Sequence, residues 1–357
     1  MQGPMLSAAG KEQILVAVVK FIISVLTVVI MSQFADQMND FMLSPEEREQ
    51  KSEGNDTLKD LALPDTTSFT THELLVASGL TKPTVGFEDI GGHFKIKEEL
   101  RLHVVVPMRH HELFYSDARL QPPGGLLFTG PPGTGKTMLA RALASECGVP
   151  LLVVKTDLVE QKYFGESEKI VRGIFSFATK IAPCVVFIDE IDGMMRNRSE
   201  FEQSHTYSIK TQLLQEIDRV ENEKKPIVLI AATNTPDSLD KALFRRLPRH
   251  YRIGKPDADA RRDIFRKSCL GEPQTTQLRK NEDWLVENTS GFSGADMKNL
   301  FAIARALRNE TFTRILSSNA TDVTTDLTTP LMTPQMSPGP ITKTHLETAI
   351  SRIHRDQ

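Results

Sequence analysis

Gly130-Pro131-Pro132-Gly133-Thr134-Gly135-Lys136-Thr137 fits the pattern G-x-x-x-x-G-K-[ST]. It stands between a short apolar run at residues 126–128 and a helical pattern at 137–147. A strand before and a helix after is the context that gives the pattern its meaning. The glycines let consecutive backbone N–H groups curl around an anion, and the N-terminus of the following helix adds partial positive charge. On this reading Lys136 reaches the β- and γ-phosphates of a nucleotide, and the Thr137 hydroxyl ligates Mg²⁺.

Working outward, further apolar runs at residues 151–154, 185–188 and 227–231 are each bounded by turn or polar residues, with a helical pattern at 168–180. Short, continuous apolar runs suit strands buried on both faces, and their alternation with helices predicts an α/β doubly wound parallel sheet. One run ends in Asp189-Glu190. Asp189 at a strand tip is placed to hold the Mg²⁺, and Glu190 to polarise an attacking water as general base. Another ends in Thr233-Asn234, whose side-chain amide is placed to orient the same water. Arg245 and Arg246 follow with nothing in the adjacent sequence to neutralise them. One of them is a candidate finger for a neighbouring subunit's site, where a cation stabilises the transferred phosphoryl; surface salt-bridge residues are the plain alternative.

The sequence divides into an N-terminal tail (1–13), an apolar segment (14–34), a polar linker (35–83) whose charged stretch SPEEREQKSEGND reads as linker or solvated helix, a large α/β domain (84–256) and a small helical domain (257–357). The last of these contains a Thr/Pro-rich insert at about 317–340, expected to be disordered, and ends in a helix at 344–354 with Leu346, Ile350 and Ile353 on one face. Residues 14–34 contain a single charge, Lys20, and are long enough to cross a bilayer, which takes about 20 apolar residues. A cleaved signal peptide has a shorter apolar core and a small-residue cleavage site, which this run lacks. Lys11 and Lys20 favour a cytosolic N-terminus, whereas a nucleotide-using domain after the span requires the opposite. The need for ATP outweighs a bias carried by two lysines.

Composition narrows the function classes. With 43 Lys and Arg against 46 Asp and Glu, no basic footprint for nucleic acid exists. The three cysteines, Cys147, Cys184 and Cys269, share no ligand spacing and suit a reducing compartment. The only adjacent histidines, His110-His111, point to different sides of a helix and do not make a metal site.

Taken together, the phosphate loop, the run VVFIDE ending at Glu190, the AATN ending at Asn234 and the paired arginines resemble the AAA family of AAA+ ATPases. The segment 87–92, FEDIGG, is similar to the family's adenine-side segment, which implies nucleotide contacts from Ile90, Gly91 and Gly92. The segment 291–296, GFSGAD, is similar to the nucleotide-contacting segment of the helical lid, which implies contacts from Gly294 and Ala295. Residues 162–168, KYFGESE, resemble the central-pore loop, where aromatics grip a threaded peptide; that places Tyr163 and Phe164 on substrate. Pore aromatics, FRRLPR at 244–249 and one N-terminal span together look most like the membrane-anchored Msp (mitochondrial sorting of proteins) translocases. The departures are Tyr163 in place of the more usual tryptophan and the Thr/Pro-rich insert. The resemblance implies a homohexamer using ATP and Mg²⁺, anchored in the mitochondrial outer membrane with its ATPase domain in the cytosol, with peroxisomes a further location. Its substrates would be tail-anchored or other membrane proteins pulled from the lipid bilayer. Two alternatives stand beside it: a microtubule-severing ATPase of the katanin–spastin group, and a non-catalytic ATP-binding scaffold.

Overall fold

The structure is a computed structural model that describes residues 45–61, 69–117, 119–120, 122, 124–156, 159, 166–195, 200–270, 279–320 and 339–356. The expected membrane span at 14–34, Tyr163, Phe164 and residues 321–338 of the insert lie outside the described residues. Among the described residues no helix is long and apolar enough to cross a membrane. The chain divides into two compact units, one up to Leu80 and one from Thr81 onward.

In the first unit, the charged stretch expected to be a linker or solvated helix is a helix, α1 (Pro45–Asp60), packed on α2 (Thr71–Ala77). Thr70 and Glu73 form a reciprocal capping box that starts α2, with the Thr70 amide 2.7 Å from the Glu73 carboxylate. The helices approach at Gly54, where a Cβ would lie 2.1 Å from the Leu74 carbonyl oxygen. A charged helix with one glycine can therefore pack closely on its neighbour, a contact that composition alone conceals.

The second unit is built on a sheet of order β1-β3-β4-β5-β2-β6. The strands are β1 (Leu80–Thr81), β2 (Gly125–Thr129), β3 (Leu151–Val154), β4 (Cys184–Ile188), β5 (Ile227–Thr233) and β6 (Arg249–Arg252). The pairs β3–β4, β4–β5, β5–β2 and β2–β6 are parallel. Every residue of β4 and β5 is buried, which is why those strands read as unbroken apolar runs. Strand β6, with the sequence RHYR, was not legible in the sequence because it buries only Tyr251, which meets Phe128 edge-on.

In chain order the helices of this unit begin with α3 (Phe94–Leu100), which continues through a π turn at Arg101–Val105 into short helical pieces. Next come α4 (Lys136–Cys147), α5 (Glu166–Ile181), α6 (Glu200–Glu223) and α7 (Lys241–Arg246). Beyond β6 the chain is helical: α8 (Ala258–Ser268), α9 (Glu282–Asn288), α10 (Gly294–Ala320) and α11 (Lys343–Asp356). These four close around their own core, in which Phe265, Phe292, Phe301, Leu346, Ile350 and Ile353 are all buried. Helix α10 runs on to Ala320, so residues 317–320, counted with the insert in the sequence reading, are helical.

Candidate nucleotide site

Sheet order brings the chemistry together. Strand β5 lies between β2 and β4, so the three chain segments leaving these strands at their C-terminal ends, with Gly130, Asn234 and Asp189, are neighbours in space. The Gly130 amide donates to the Thr233 carbonyl at 3.3 Å, fixing the start of the phosphate loop against β5. Ligands of open α/β sheets bind at this end of the strands, where the order reverses. A cleft of about 550 Å³ lies there, lined by Pro132 to Thr137, Asp189, Glu190 and Asn234 among others.

Within it, Lys136 is buried, and its ammonium donates to the carbonyls of Gly130 (2.8 Å) and Pro131 (2.9 Å) and to Asn234 Oδ1 (2.6 Å). Its three N–H donors thus meet three oxygens. Burial pushes its pKa below the ordinary lysine value, against the pull of Asp189, Glu190 and Asp192. The Thr137 hydroxyl donates to Asp189 Oδ2 at 2.8 Å. A hydroxyl and a carboxylate converging beside a phosphate loop are the hard oxygen donors that Mg²⁺ prefers. Glu190 is exposed and holds a left-handed backbone, φ 49°, uncommon for a residue with a Cβ. Non-glycine residues in this region cluster at functional sites. Here the turn sends the chain sharply away from β4, and the Ile191 amide goes on to bond the Ala232 carbonyl at 3.0 Å.

The helical domain closes one side. Gly133 (φ +73°) lies so near the start of α10 that a Cβ on it would stand 2.9 Å from Ala295 Cβ and 3.0 Å from Ser293 Oγ. The Ala295 amide donates to the Gly133 carbonyl at 2.9 Å, and Gly294 and Ala295 both line the cleft. Ser293 and Asp296 cap α10, with Asp296 Oδ2 accepting from both the amide and the hydroxyl of Ser293 at 2.8 Å. Ile90 and Gly91 also line the cleft, and Gly92 turns its amide toward α8.

The paired arginines separate. Arg245 is exposed and, among the described residues, has no hydrogen-bond or ion-pair partner. Arg246 corrects the expectation that both stand unneutralised: its guanidinium grips Asp218 at 2.6 and 2.7 Å and also donates to the Ala242 carbonyl at 3.2 Å. Asp218 lies on α6, far away in sequence, so the pairing was invisible to a local reading. Neither arginine lines the cleft.

The sequence reading also missed contributors. Asp192 accepts from Thr233 Oγ1 at 2.8 Å and Thr235 Oγ1 at 3.0 Å, tying the segments after β4 and β5 together on either side of Asn234. His93, whose pKa burial pushes down, lines the cleft, as do Ile264, Lys267 and Lys298. The helical spacing of Ala260, Ile264 and Lys267 puts them on one face of α8, a signal that was present in the sequence.

A glycine-rich loop opening a helix, a buried lysine, and a Thr–Asp pair at the strand tips define a phosphate-loop nucleotide-binding module. The comparisons agree. The family model described as "ATPase family associated with various cellular activities (AAA)" matches residues 126–255. The outer mitochondrial transmembrane helix translocase of Danio rerio is 34% identical over 251 residues, 69% of this chain and 66% of that protein. The protein of the same name from Bos taurus is 32% identical over 255 residues, 70% of each chain. The cell division cycle protein 48 homolog of Archaeoglobus fulgidus is 45% identical over 219 residues, 60% of this chain. Among solved structures, the AAA domain of FIGL-1 in complex with ADP superposes with a TM-score of 0.64 at 29% identity, covering 81% of this chain and 92% of that one. The chain belongs to the AAA family of ATPases. It spans 29% of the length of the archaeal relative and 66–70% of the two translocases.

Proposed function

We propose that this protein is a membrane-anchored, ATP-driven translocase that works as a homohexamer and extracts tail-anchored or other membrane proteins from the mitochondrial outer membrane. The observation that carries the ATPase part is the junction of phosphate loop, Asp189 and Asn234, at which Lys136 and Thr137 each bond a partner on a neighbouring strand tip. The extraction part rests on the similarity to outer mitochondrial transmembrane helix translocases over about 70% of the chain, with the apolar segment at 14–34 as anchor.

The residues present fit Mg–ATP. The close approach of Gly133 to Ala295 leaves backbone rather than side chain facing the phosphates, and Thr137 and Asp189 supply oxygen donors for the ion. Bound Mg–ATP supplies the phosphoanhydride whose cleavage drives the cycle. Lys136 exchanges carbonyl partners for phosphate oxygens, whose negative charge makes a stronger bond with the ammonium. Asn234, released from Lys136, is free to hold a water by its side-chain amide. Glu190 takes that water's proton as general base. Arg245, with Arg246 as the second candidate, completes a neighbouring subunit's site as a finger. Tyr163 and Phe164 grip the threaded polypeptide; an aromatic ring gives a large contact at small entropy cost. Ile90, Gly91 and Gly92 hold the adenine side. The large domain is assigned to 84–256, the lid to 257–357, and the protein is taken as single-pass with its ATPase domain in the cytosol.

The test is ATP-dependent release of a tail-anchored protein from liposomes that carry the full chain. ATP turnover without release sinks the extraction reading, and absence of turnover points to a binding scaffold. The second reading, a microtubule-severing ATPase of the katanin–spastin group, shares the module, and the FIGL-1 likeness, confined to that module, fits either. Co-sedimentation with microtubules and their fragmentation would favour it.

A further inference from the structure

The base-side wall of the cleft is gripped by two side chains of α8 that the reading above leaves unused. Gly91 and Gly92 lie directly on that helix. A Cβ on Gly91 would stand 2.3 Å from Ile264 Cγ1 and 2.8 Å from Ile264 Cα, and one on Gly92 (φ +72°) 2.4 Å from Ala260 Cβ. Such close approach lets polar side chains of α8 reach the backbone of the segment. Asp263 Oδ2 accepts the Gly92 N–H at 3.0 Å. Lys267 Nζ donates to the Ile90 carbonyl at 2.9 Å and also to the Glu88 carbonyl. Asp263 and Lys267 are one helical turn apart and pair at 3.4 Å, so the two grips brace each other. From the other side, Lys97 Nζ donates to the Ile90 carbonyl at 2.5 Å.

The amides of Asp89 and Ile90 are spent on the Gly86 and Phe87 carbonyls. Among the described residues, the amide and carbonyl of Gly91 have no hydrogen-bond partner, although Gly91 lines the cleft. A donor and an acceptor held side by side suit the edge of adenine, where an acceptor nitrogen adjoins an amino group; guanine presents the opposite order. A buried site built to hydrogen-bond one pattern rejects the other only if its groups cannot turn to follow the ligand.

We propose that Asp263 and Lys267 are positioning residues for the nucleotide base: from the lid they immobilise residues 88–92, so that Gly91 reads the base edge and base recognition is coupled to lid position. This rests on the nucleotide-binding reading of the same cleft. The test is calorimetric titration of ADP and of GDP into the full-length protein and its variants. Lys267→Ala is expected to weaken ADP binding about tenfold, the scale of one lost charge-assisted hydrogen bond, and to shrink the preference for ADP over GDP. Lys267→Arg, which keeps a donor in reach, is expected to restore most of both. Asp263→Asn, a milder change, should shift the preference in the same direction and serves where Lys267→Ala does not fold. If the variants bind ADP as the parent does, or lose ADP and GDP affinity by the same factor, the two residues merely support the fold and the inference is overturned. If the parent itself binds neither nucleotide, the nucleotide reading falls first and takes this inference with it.

Discussion

Arg245→Ala should cost far more turnover than Arg246→Ala, although the two side chains are adjacent and chemically identical. Arg246 is engaged inside its own chain through a bidentate pair with Asp218 and a third bond to the Ala242 carbonyl. Its side chain is 29% exposed and that of Asp218 45%, so solvent screens the pair and its worth is about 0.5–1 kcal/mol. Removing it should lower the melting temperature by about 2 °C in a domain of this size. To act on a neighbour, Arg246 must first release Asp218, at a cost of about two- to fivefold in population. Among the described residues Arg245 has no partner to release, so truncating it should leave the melting temperature unchanged. If it is the trans finger, turnover at saturating ATP should fall by about 10³-fold, with ADP affinity close to parental. The assay is a thermal melt, an ADP titration and steady-state ATP hydrolysis on the same preparation of assembled rings. Mixing Arg245→Ala with Lys136→Ala adds a check, since complementary defects rebuild some intact interfaces in a mixed ring. Parental turnover in Arg245→Ala, alongside a collapse in Arg246→Ala with an unchanged melt, would refute the reasoning.

Glu190→Gln should bind ATP and hydrolyse it about 10²–10⁴-fold more slowly, because the amide keeps the shape and loses the base; near-normal turnover would mean another residue activates the water. Gly133→Ala puts a Cβ at a left-handed position 2.9 Å from Ala295 Cβ, so nucleotide affinity should drop as lid and loop separate, with about 1–3 kcal/mol of stability lost. Chemical denaturation and ADP titration read the two effects, and a variant as stable and as tight as the parent would show that loop and lid do not touch in solution. Tyr163→Ala should keep ATP hydrolysis and lose extraction of a tail-anchored protein from liposomes, with Phe164→Ala weaker in the same direction; unimpaired extraction by Tyr163→Ala would remove those aromatics from the threading step.

By itself, the sequence carried whatever is local or periodic. The phosphate loop is contiguous, a single run from Gly130 to Thr137, so pattern and context suffice to find it. The strands β2 to β5 were legible because helices bury both their faces, which forces unbroken apolar runs. Asp189 and Asn234 were legible because each directly follows such a run. Strand β6 escaped because it shows only one buried residue to the eye, and the stretch of α1 stayed open between linker and solvated helix because a charged helix that packs through Gly54 has the composition of a linker.

What only the tertiary structure decided are the pairings across long sequence gaps. Lys136 and Asn234 meet because β2 and β5 are neighbours in the sheet, although 98 residues separate them. Asp218 singles out Arg246 from 28 residues away, and Asp263 and Lys267 reach the base-side segment across more than 170. No local spacing encodes such contacts. They depend on which strand lies beside which and on how closely a helix can approach a pair of glycines, and both are settled only when the whole core packs.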